Sequence, residues 1–323
     1  VVQNLRKKIE SLGGEVRFGC RVTGLEQTMA HLTGLVYEQA GETVHLDCDR
    51  AILAIGHSAR DTFAMLLESG VPMEPKAFSM GVRIEHRQSW LDRRQYGDAA
   101  GHPSLPPADY KLAAHLPDGN SAYTFCMCPG GQVVASSSEM GGVVTNGMSN
   151  ADRDGENCNA AVLVTLHPED FPFSGVLGGM EWQRQLEQRC YEAGGSNYHA
   201  PAQLVGDFLN RKASTKAASV RPTYAPGVTF TDLHDCLPEK ITDVLERALP
   251  ELDKKLPGFA DGDAVMTAPE TRSSSPVRIL RDETQQSALR GLFPCGEGAG
   301  YAGGITSAAV DGVRCAEALL QSL

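Results

Sequence analysis

The sequence LFPCGEGAGYAGGITSAAVDGVRCAEALL, residues 292–320, decides the fold of this chain. A short apolar segment leads into a turn over residues 296–304 that holds five glycines in nine positions. Apolar residues then recur at helical spacing, and we expect them to form the buried stripe of a C-terminal helix: Ile305, Ala308, Ala309, Val313, Ala316, Leu319 and Leu320. Strand, glycine-rich turn and helix in this order are typical of an α/β domain.

Within the turn, Gly298, Gly300 and Gly303 match the GxGxxG spacing of dinucleotide-binding turns. That fingerprint opens a βαβ unit, with an acidic residue about 20 positions later, whereas the chain ends twenty residues after Gly303. We therefore do not expect a pyrophosphate site here. Glycines still let the backbone approach a flat ligand, and a helix N-terminus attracts negative charge. The alternative is a turn that packs tightly under a sheet without any ligand.

The N-terminal segment, like the C-terminal one, combines helix and strand patterns. Residues 1–12 predict a helix, and a half-buried strand is expected over residues 15–22. Two further strands are predicted around residues 32–38 and 43–48. The continuous apolar run 51–55, which ends at Gly56, is typical of a strand that is covered on both faces.

The middle of the chain is rich in proline and short strand patterns. Strands at 123–128 and 132–136 flank Pro129-Gly130-Gly131 and predict a hairpin, residues 161–166 predict another strand, and Pro238 is expected to open a helix. We therefore predict α/β plus α+β architecture. Residues 1–71 and 270–323 form one discontinuous domain, and residues 72–269 form an inserted mixed α+β domain.

Composition narrows the function classes. The net charge of −11 disfavours nucleic acid as a partner. No apolar run reaches the roughly 18 residues of a membrane-spanning helix, and no secretion signal is recognisable. Nine cysteines without zinc-ligand spacing favour reduced thiols in a cytoplasmic protein and no metal site. Because the chain starts at Val1 within a helical pattern, we expect a truncation or a cleavage product.

Three polar residues are candidates for catalysis. His57 directly follows the apolar run and Gly56, where ligand crevices of α/β sheets open; the alternative is a solvated or capping histidine. Arg272 lies in a dense polar segment and is suited to hold an anionic substrate group, with Glu270 to orient it. A hydrated linker is the alternative there. Arg83, in a predicted strand, is a further candidate.

Cys126 and Cys128 have strand spacing, which predicts that both thiols share one face while Phe125 lies on the other. A redox pair is one interpretation. Two structural thiols are the preferred one, because a disulfide across this spacing would be strained.

The segments GGEVRF, AILAIGHSARDTF, GVRIEH, YTFCMCPGG, VVTNGMS and PVRILRD, together with the glycine-rich turn, resemble the FAD-dependent dehydrogenases of bacteria. These are flavoproteins with two dinucleotide-binding domains. The resemblance implies an FAD/NAD(P)-binding Rossmann-like domain, interrupted by a substrate domain. Its first βαβ unit, which carries the true pyrophosphate-binding GxGxxG, is missing from this chain.

The same resemblance implies the cofactor contacts. Glu297 would bind the ribityl chain, and Gly303, Gly304 and Ile305 would lie beside the isoalloxazine. Gly296, Gly298 and Gly300 complete the turn, Val22 would lie near adenine, and Gly56 would form a second close approach to FAD. Because the first βαβ unit is missing, we expect the chain alone to lack FAD and to be inactive.

The resulting hypothesis is an enzyme, a FAD-dependent oxidoreductase that moves hydride or electrons between a small-molecule substrate and a second redox partner. NAD(P)H as that partner, the substrate and the oligomeric state stay open. A flavin-fold protein that modifies RNA and a non-catalytic ligand-binding module on the same fold are the alternatives.

Overall fold

A computed structural model describes residues 1–323. Its strands are β1 Cys20–Thr28, β2 His31–Gln39, β3 Glu42–Asp47, β4 Ala51–Leu53, β5 Met73–Pro75, β6 Phe78–Arg87, β7 Ala113–His115, β8 Ser121–Cys128, β9 Gly131–Ala135, β10 Thr145–Ser149, β11 Asn157–Leu166, β12 Ala200–Leu204, β13 Val228–Phe230, β14 Val265–Glu270, β15 Val277–Ile279 and β16 Leu292–Pro294. The α-helices are α1 Val2–Ser11, α2 Arg60–Glu68, α3 Gln88–Tyr96, α4 Gly178–Ala193, α5 Val205–Leu209, α6 Glu239–Lys255 and α7 Ile305–Gln321. No helix combines the length and the apolar character needed to cross a membrane.

The chain divides into two compact units. Unit 1 contains Val1–Glu74 and Arg278–Leu323, and unit 2 contains Pro75–Val277. In unit 1, β1, β2 and β3 form an antiparallel meander, and β4 pairs in parallel with β16. The meander and the loop before β16 are linked, since Leu32 N donates to Arg290 O.

Two expectations for unit 1 are wrong. The strand predicted over residues 15–22 starts only at Cys20, because Gly19 has a φ of +66° and interrupts the extended chain. The predicted buried stripe of α7 is also misplaced: its buried residues are Asp311 and Cys315, while Val313 and Leu320 are exposed. A polar residue therefore faces the interior at a point where the apolar pattern alone favoured another face.

Unit 2 is built on a seven-stranded sheet in the order β13-β12-β14-β6-β11-β8-β7. The β12–β13 pair is parallel, and the other pairs are antiparallel, so the sheet is mixed. One face of β6 carries Met80, Val82 and Ile84, which pack into an apolar core together with side chains of α3, α4 and α6. Successive strand residues alternate between faces, so Arg83 and Glu85 point to the opposite face.

The hairpin predicted around Pro129 is wrong, although both of its strands exist. β9 pairs with β10, whereas β8 pairs with β7 and β11. The registers Phe125↔Ala161 and Cys128↔Asn159 show a bulge in β8, and Cys126 within it has a φ of 43°. Because a bulge inserts one residue, Cys128 lies on the face of Phe125 and not opposite to it, contrary to the prediction.

Candidate functional site

The carboxyl ends of β4 and β16 lie side by side in unit 1, because Leu53 pairs with Pro294. Gly56 follows one strand and Gly296 the other. The carboxyl ends of adjacent parallel strands are the usual place for ligand crevices in α/β proteins. The structure therefore places the two glycine-containing loops at one sheet edge.

These two loops touch through their backbones. A Cβ on Gly298 would overlap the carbonyl oxygen of Gly56, which itself has a φ of +65°. Side chains also meet here: His57 Nε2 lies 3.7 Å from Glu297 Oε1, and His57 Nδ1 lies 2.7 Å from Ser58 Oγ. His57 and Glu297, two residues singled out from separate motifs, are thus neighbours.

The glycine-rich turn has a closed half and an open half. In the closed half, residues 296–301, Gly296 and Gly300 have φ values of +74° and +86°, and Tyr301 N donates to Gly296 O. The open half is residues 302–304. A Cβ on Gly303 would meet nothing within 4 Å, and one on Gly304 would meet only Ser307 Oγ at 3.9 Å. The φ of Gly304 is −166°, ordinary extended backbone. The fold itself thus requires glycine in the closed half but not in the open half.

Helix α7 begins directly after the open half. The N–H groups of its first turn have no partner within the helix and carry partial positive charge. Ile305, the first helical residue, is 93% exposed. This end of the helix therefore presents polar donors and one apolar side chain to whatever approaches Gly303 and Gly304.

An apolar cavity of about 540 Å³ in unit 1 is lined by residues of β1, β4 and α2 and reaches Ile55, the residue before Gly56. Val22, Ile52 and Met65 are among its lining side chains. Val22 of β1 is exposed, and the structure places it at the edge of this cavity.

Behind the turn, Asp311 and Arg281 form a buried ion pair of 2.6 Å, next to the thiols of Cys295 and Cys315. Burial raises the pKa of the Asp311 carboxyl, but hydrogen bonds from Arg281 and from Gly296 N outweigh it, and the net pKa is below its ordinary value. Burial raises the pKa of Cys315 to about 12, which favours the neutral thiol. One carboxylate and two thiols resemble a metal-ligand set, but the guanidinium already supplies the compensating positive charge.

In unit 2, Arg83 lies at the centre of a buried polar face of the sheet. Its Nε donates to Asn159 Oδ1 at 2.8 Å, its Nη1 to Glu270 Oε1 at 3.1 Å, and its Nη2 to Cys126 O at 2.5 Å. Gly147 of β10 covers the guanidinium, and a Cβ there would overlap Arg83 Nη2.

Two carboxyl groups share this face but differ in their partners. Glu85 accepts hydrogen bonds from Asn157 Nδ2 and from the N–H and hydroxyl of Thr223. Glu270 Oε1 accepts from Arg83 Nη1, whereas its buried Oε2 has no partner at hydrogen-bond geometry. Burial raises the pKa of Glu270 to about 7, although Arg83 and, more weakly, Thr145 oppose this. Glu270 is therefore suited to hold or release a proton near neutral pH.

Arg272 is not paired with Glu270. Its Nε and Nη2 lie 3.0 and 2.7 Å from the two carboxylate oxygens of Glu187 on α4, and Nη1 also donates to Ser138 Oγ. Sequence reasoning singled out Arg272, Glu270 and Arg83 but missed Glu187, the partner of Arg272, and Asn159, a partner of Arg83. It also missed Asp311. No local signal marked Asp311, because α7 also carries the charged residues Arg314 and Glu317.

Comparisons with known proteins identify the family. Residues 77–273, more than half of the chain, match the model of the family described as FAD-dependent protein, C-terminal domain-like. A protein of Clostridium beijerinckii is 46% identical over 323 residues, which is 99% of this chain and 60% of that protein. The chain thus spans about 60% of the length of this curated relative.

Solved structures are similar only at low level. The flavin-dependent brominase Bmp2 is 12% identical with a TM-score of 0.40, over 99% of this chain and 52% of that chain. The Escherichia coli quinol fumarate reductase FrdA is 13% identical with a TM-score of 0.34, over 94% of this chain and 44% of that chain. Similarities of this size carry no argument about function. The family match over unit 2 does decide membership: this chain belongs to the FAD-dependent protein, C-terminal domain-like family.

Proposed function

We propose that the complete protein is a FAD-dependent oxidoreductase, a dehydrogenase that moves hydride or electrons between a small organic substrate and a second redox partner. The open half of the glycine-rich turn is the observation that carries this proposal. Gly303 and Gly304 have neither a crowded Cβ position nor a left-handed φ. A flat ligand against the turn explains the two glycines, because any side chain would separate the backbone from the ligand.

FAD, when bound, supplies two-electron chemistry. In this proposal Gly303, Gly304 and Ile305 contact its ring system, and the first-turn N–H groups of α7 face the ring edge that becomes negative on reduction. Glu297 accepts hydrogen bonds from the ribityl hydroxyls. The 93% exposure of Ile305 supports this, since ring contact would remove that apolar side chain from water.

The remaining turn and sheet residues serve the cofactor through backbone shape. Gly296, Gly298 and Gly300 hold the closed half of the turn, and Gly56 is the second close approach. Val22 serves the adenosine half, which is supported by its place at the apolar cavity of unit 1.

We further propose that unit 1 is an incomplete Rossmann-like domain and that sequence outside residues 1–323 binds the pyrophosphate. Two observations support this. The parallel pair β4–β16 has only two strands, with Ile52 of β4 40% exposed, and the chain spans 60% of the relative's length. A first βαβ unit needs roughly 30 residues.

Unit 2 is proposed as the substrate unit, with Glu270 as the residue that holds or accepts a proton. Its unpartnered oxygen and its pKa of about 7 support this role. Arg272, held by Glu187, is proposed to contribute fixed positive charge. His57, beside Glu297, is proposed to contact the cofactor.

Gly303→Val in the complete protein tests the proposal. A side chain at this position blocks the approach of a ring, so we expect the bound flavin absorbance of the purified protein to disappear. The melting temperature of the flavin-free protein should stay unchanged, because a Cβ at Gly303 meets no protein atom within 4 Å.

Gly262→Val is the matched control, since a Cβ there meets nothing closer than 3.7 Å; this variant should keep its flavin. A native protein that binds no FAD in titration would contradict the proposal. A Gly303→Val protein with full flavin content would contradict the assignment of the open half.

A further inference from the structure

The Asp311 carboxylate ties three segments of unit 1 together behind the glycine-rich turn. Its Oδ2 accepts from the backbone N–H of Gly296 at 2.7 Å and from Arg281 Nη1 at 3.0 Å, and its Oδ1 accepts from Arg281 Nη2 at 2.6 Å. Asp311 belongs to α7, Gly296 opens the turn, and Arg281 lies in the loop before β16. One buried group thus fixes the distance between the start of the turn and the helix that ends it.

The Arg281 guanidinium holds the same turn at two more points. Nη1 donates to Pro294 O at 2.7 Å, and the guanidinium carbon lies 3.7 Å from the centroid of the Tyr301 ring. Tyr301 closes the first half of the turn by its N–H bond to Gly296 O. Arg281 therefore holds both ends of the closed half, through a carbonyl group and an aromatic face.

The open half depends on these anchors for its position. Gly303 and Gly304 lie between Tyr301 and the first residue of α7, and a side chain at either would meet no neighbour closer than 3.9 Å. Their place in space is thus set by the closed half on one side and by α7 on the other. Both of these are tied to Asp311.

We propose that Asp311 and Arg281 are positioning residues of the cofactor site, which set the direction of α7 and the place of Gly303 and Gly304 against the flavin ring. This inference rests on the proposed function. Neither side chain contacts the cofactor in this scheme; both act through the turn.

Arg281 also neutralises the charge of Asp311 near the N-terminus of α7. Asp311 lies in the second turn of α7, where an unpaired carboxylate would oppose the positive end of the helix dipole. The bidentate ion pair cancels that charge locally. The N-terminus of α7 thereby keeps its positive potential for a ligand that becomes negative on reduction.

Asp311→Asn in the complete protein tests the proposal. The variant preserves the size of the side chain but removes its charge, so it weakens the bidentate pair and the bond to Gly296 N. A charge-assisted hydrogen bond of this kind corresponds to about ten- to hundredfold in affinity. We expect the Kd for FAD, measured by calorimetric titration of the flavin-free protein, to rise by this factor.

Asp282→Asn is the matched control, at the residue next to Arg281 in the same loop of unit 1. Asp282 also accepts several hydrogen bonds, among them one of 2.6 Å from Arg290, but it is exposed and does not contact the turn. Its loss should leave the Kd for FAD unchanged. A general loosening of unit 1 would affect both variants.

Arg281→Met and the double variant complete a cycle. If the two residues act through the same interaction, the double variant should bind FAD about as weakly as either single variant. The two factors by which the single variants raise the Kd should then not multiply. If Asp311→Asn does not fold, Arg281→Lys replaces it: the charge stays, the bidentate geometry and the stacking are lost, and the Kd should again rise.

The outcomes separate this inference from the function it rests on. A native protein that binds no FAD would overturn the proposed function. A native protein that binds FAD, together with an Asp311→Asn variant of the same Kd after correction for its unfolded fraction, would overturn only the positioning role. A double variant whose Kd rises by the product of the two single factors would also contradict a joint action of Asp311 and Arg281.

Discussion

Helices α6 of unit 2 and α7 of unit 1 have the same length of 17 residues but use their apolar side chains differently. α6 buries seven residues, and its apolar face coincides with the core of unit 2. α7 buries only Asp311 and Cys315 and exposes Ile305, Val310, Val313 and Leu320. α1 of unit 1 buries none.

The difference shows that an apolar pattern identifies a face that can be covered, without identifying what covers it. In unit 2 the rest of the unit covers α6. In unit 1, most apolar side chains of α1 and α7 are left uncovered by residues 1–323. Exposed apolar patches of this kind usually mark binding surfaces. In our proposal, FAD and sequence outside residues 1–323 cover part of this surface.

The largest effect expected from this contrast concerns FAD itself. If the pyrophosphate site lies outside residues 1–323, the isolated chain should bind FAD at least about a thousandfold more weakly than the complete protein, which equals about 4 kcal/mol. The missing helix N-terminus and backbone donors to the phosphates are the physical reason. Parallel calorimetric titrations measure the ratio. Submicromolar binding by the isolated chain would place the pyrophosphate site within these residues.

The second prediction compares the two helices directly through the same substitution. Leu245→Ala removes a side chain of α6 with 0% exposure, so the free energy of unfolding should fall by about 2–5 kcal/mol. Leu320→Ala in α7 removes a side chain that is 65% exposed, and the change should stay within about 0.5 kcal/mol. Urea unfolding of the isolated chain measures both. Equal losses would show that α7 is covered in solution.

The smallest effect concerns Glu270, a buried ionisable residue of unit 2. The pKa of Glu270 is raised from 4.5 to about 7 in the folded chain. Between these values the unfolded chain releases a proton that the folded chain retains, so stability falls as the pH rises from about 4.5 through 7. The full difference is of the order of 3 kcal/mol.

Glu270→Gln should flatten this pH dependence of the unfolding free energy between pH 5 and 7.5. Arg83 on β6 is the charged group that faces Glu270, and it stays in the variant. Asp118→Asn serves as the control, because hydrogen bonds from Arg247 and Asn120 lower the pKa of that exposed group to about 2, outside the window. An unchanged slope in Glu270→Gln would contradict the titration of Glu270 in this range.

Local patterns predicted several elements of the fold. The helix opened by Pro238 and the strand that contains residues 161–166 are confirmed as α6 and β11. The strand before Gly56 is present as β4, but the prediction that it is covered on both faces is wrong, since Ile52 is 40% exposed. Each of these elements follows from the apolar pattern of a short segment. The mixed α and β character of the chain is confirmed as well.

Features that depend on distant residues were not predictable in this way. The bulge at Cys126 reverses the face of Cys128, and no local signal marks an inserted residue. Arg83 meets Glu270 across 187 positions, and Arg272 meets Glu187 across 85. Such ion pairs depend on the order of the strands in the sheet and on helix packing. Neither can be predicted from the local patterns of a single sequence.

The contact between Gly147 and the Arg83 guanidinium has a consequence for sequence change. Any side chain at position 147 would overlap Nη2 of Arg83 and Oδ1 of Asn159, so even alanine fits there only if both of these side chains shift or are shortened. Loss of Arg83 alone leaves the buried Glu270 without its counter-ion. We therefore expect a screen of single substitutions to score positions 147 and 83 as intolerant. The changes tolerated at this point of unit 2 should be those that alter positions 147, 83, 159 and 270 together.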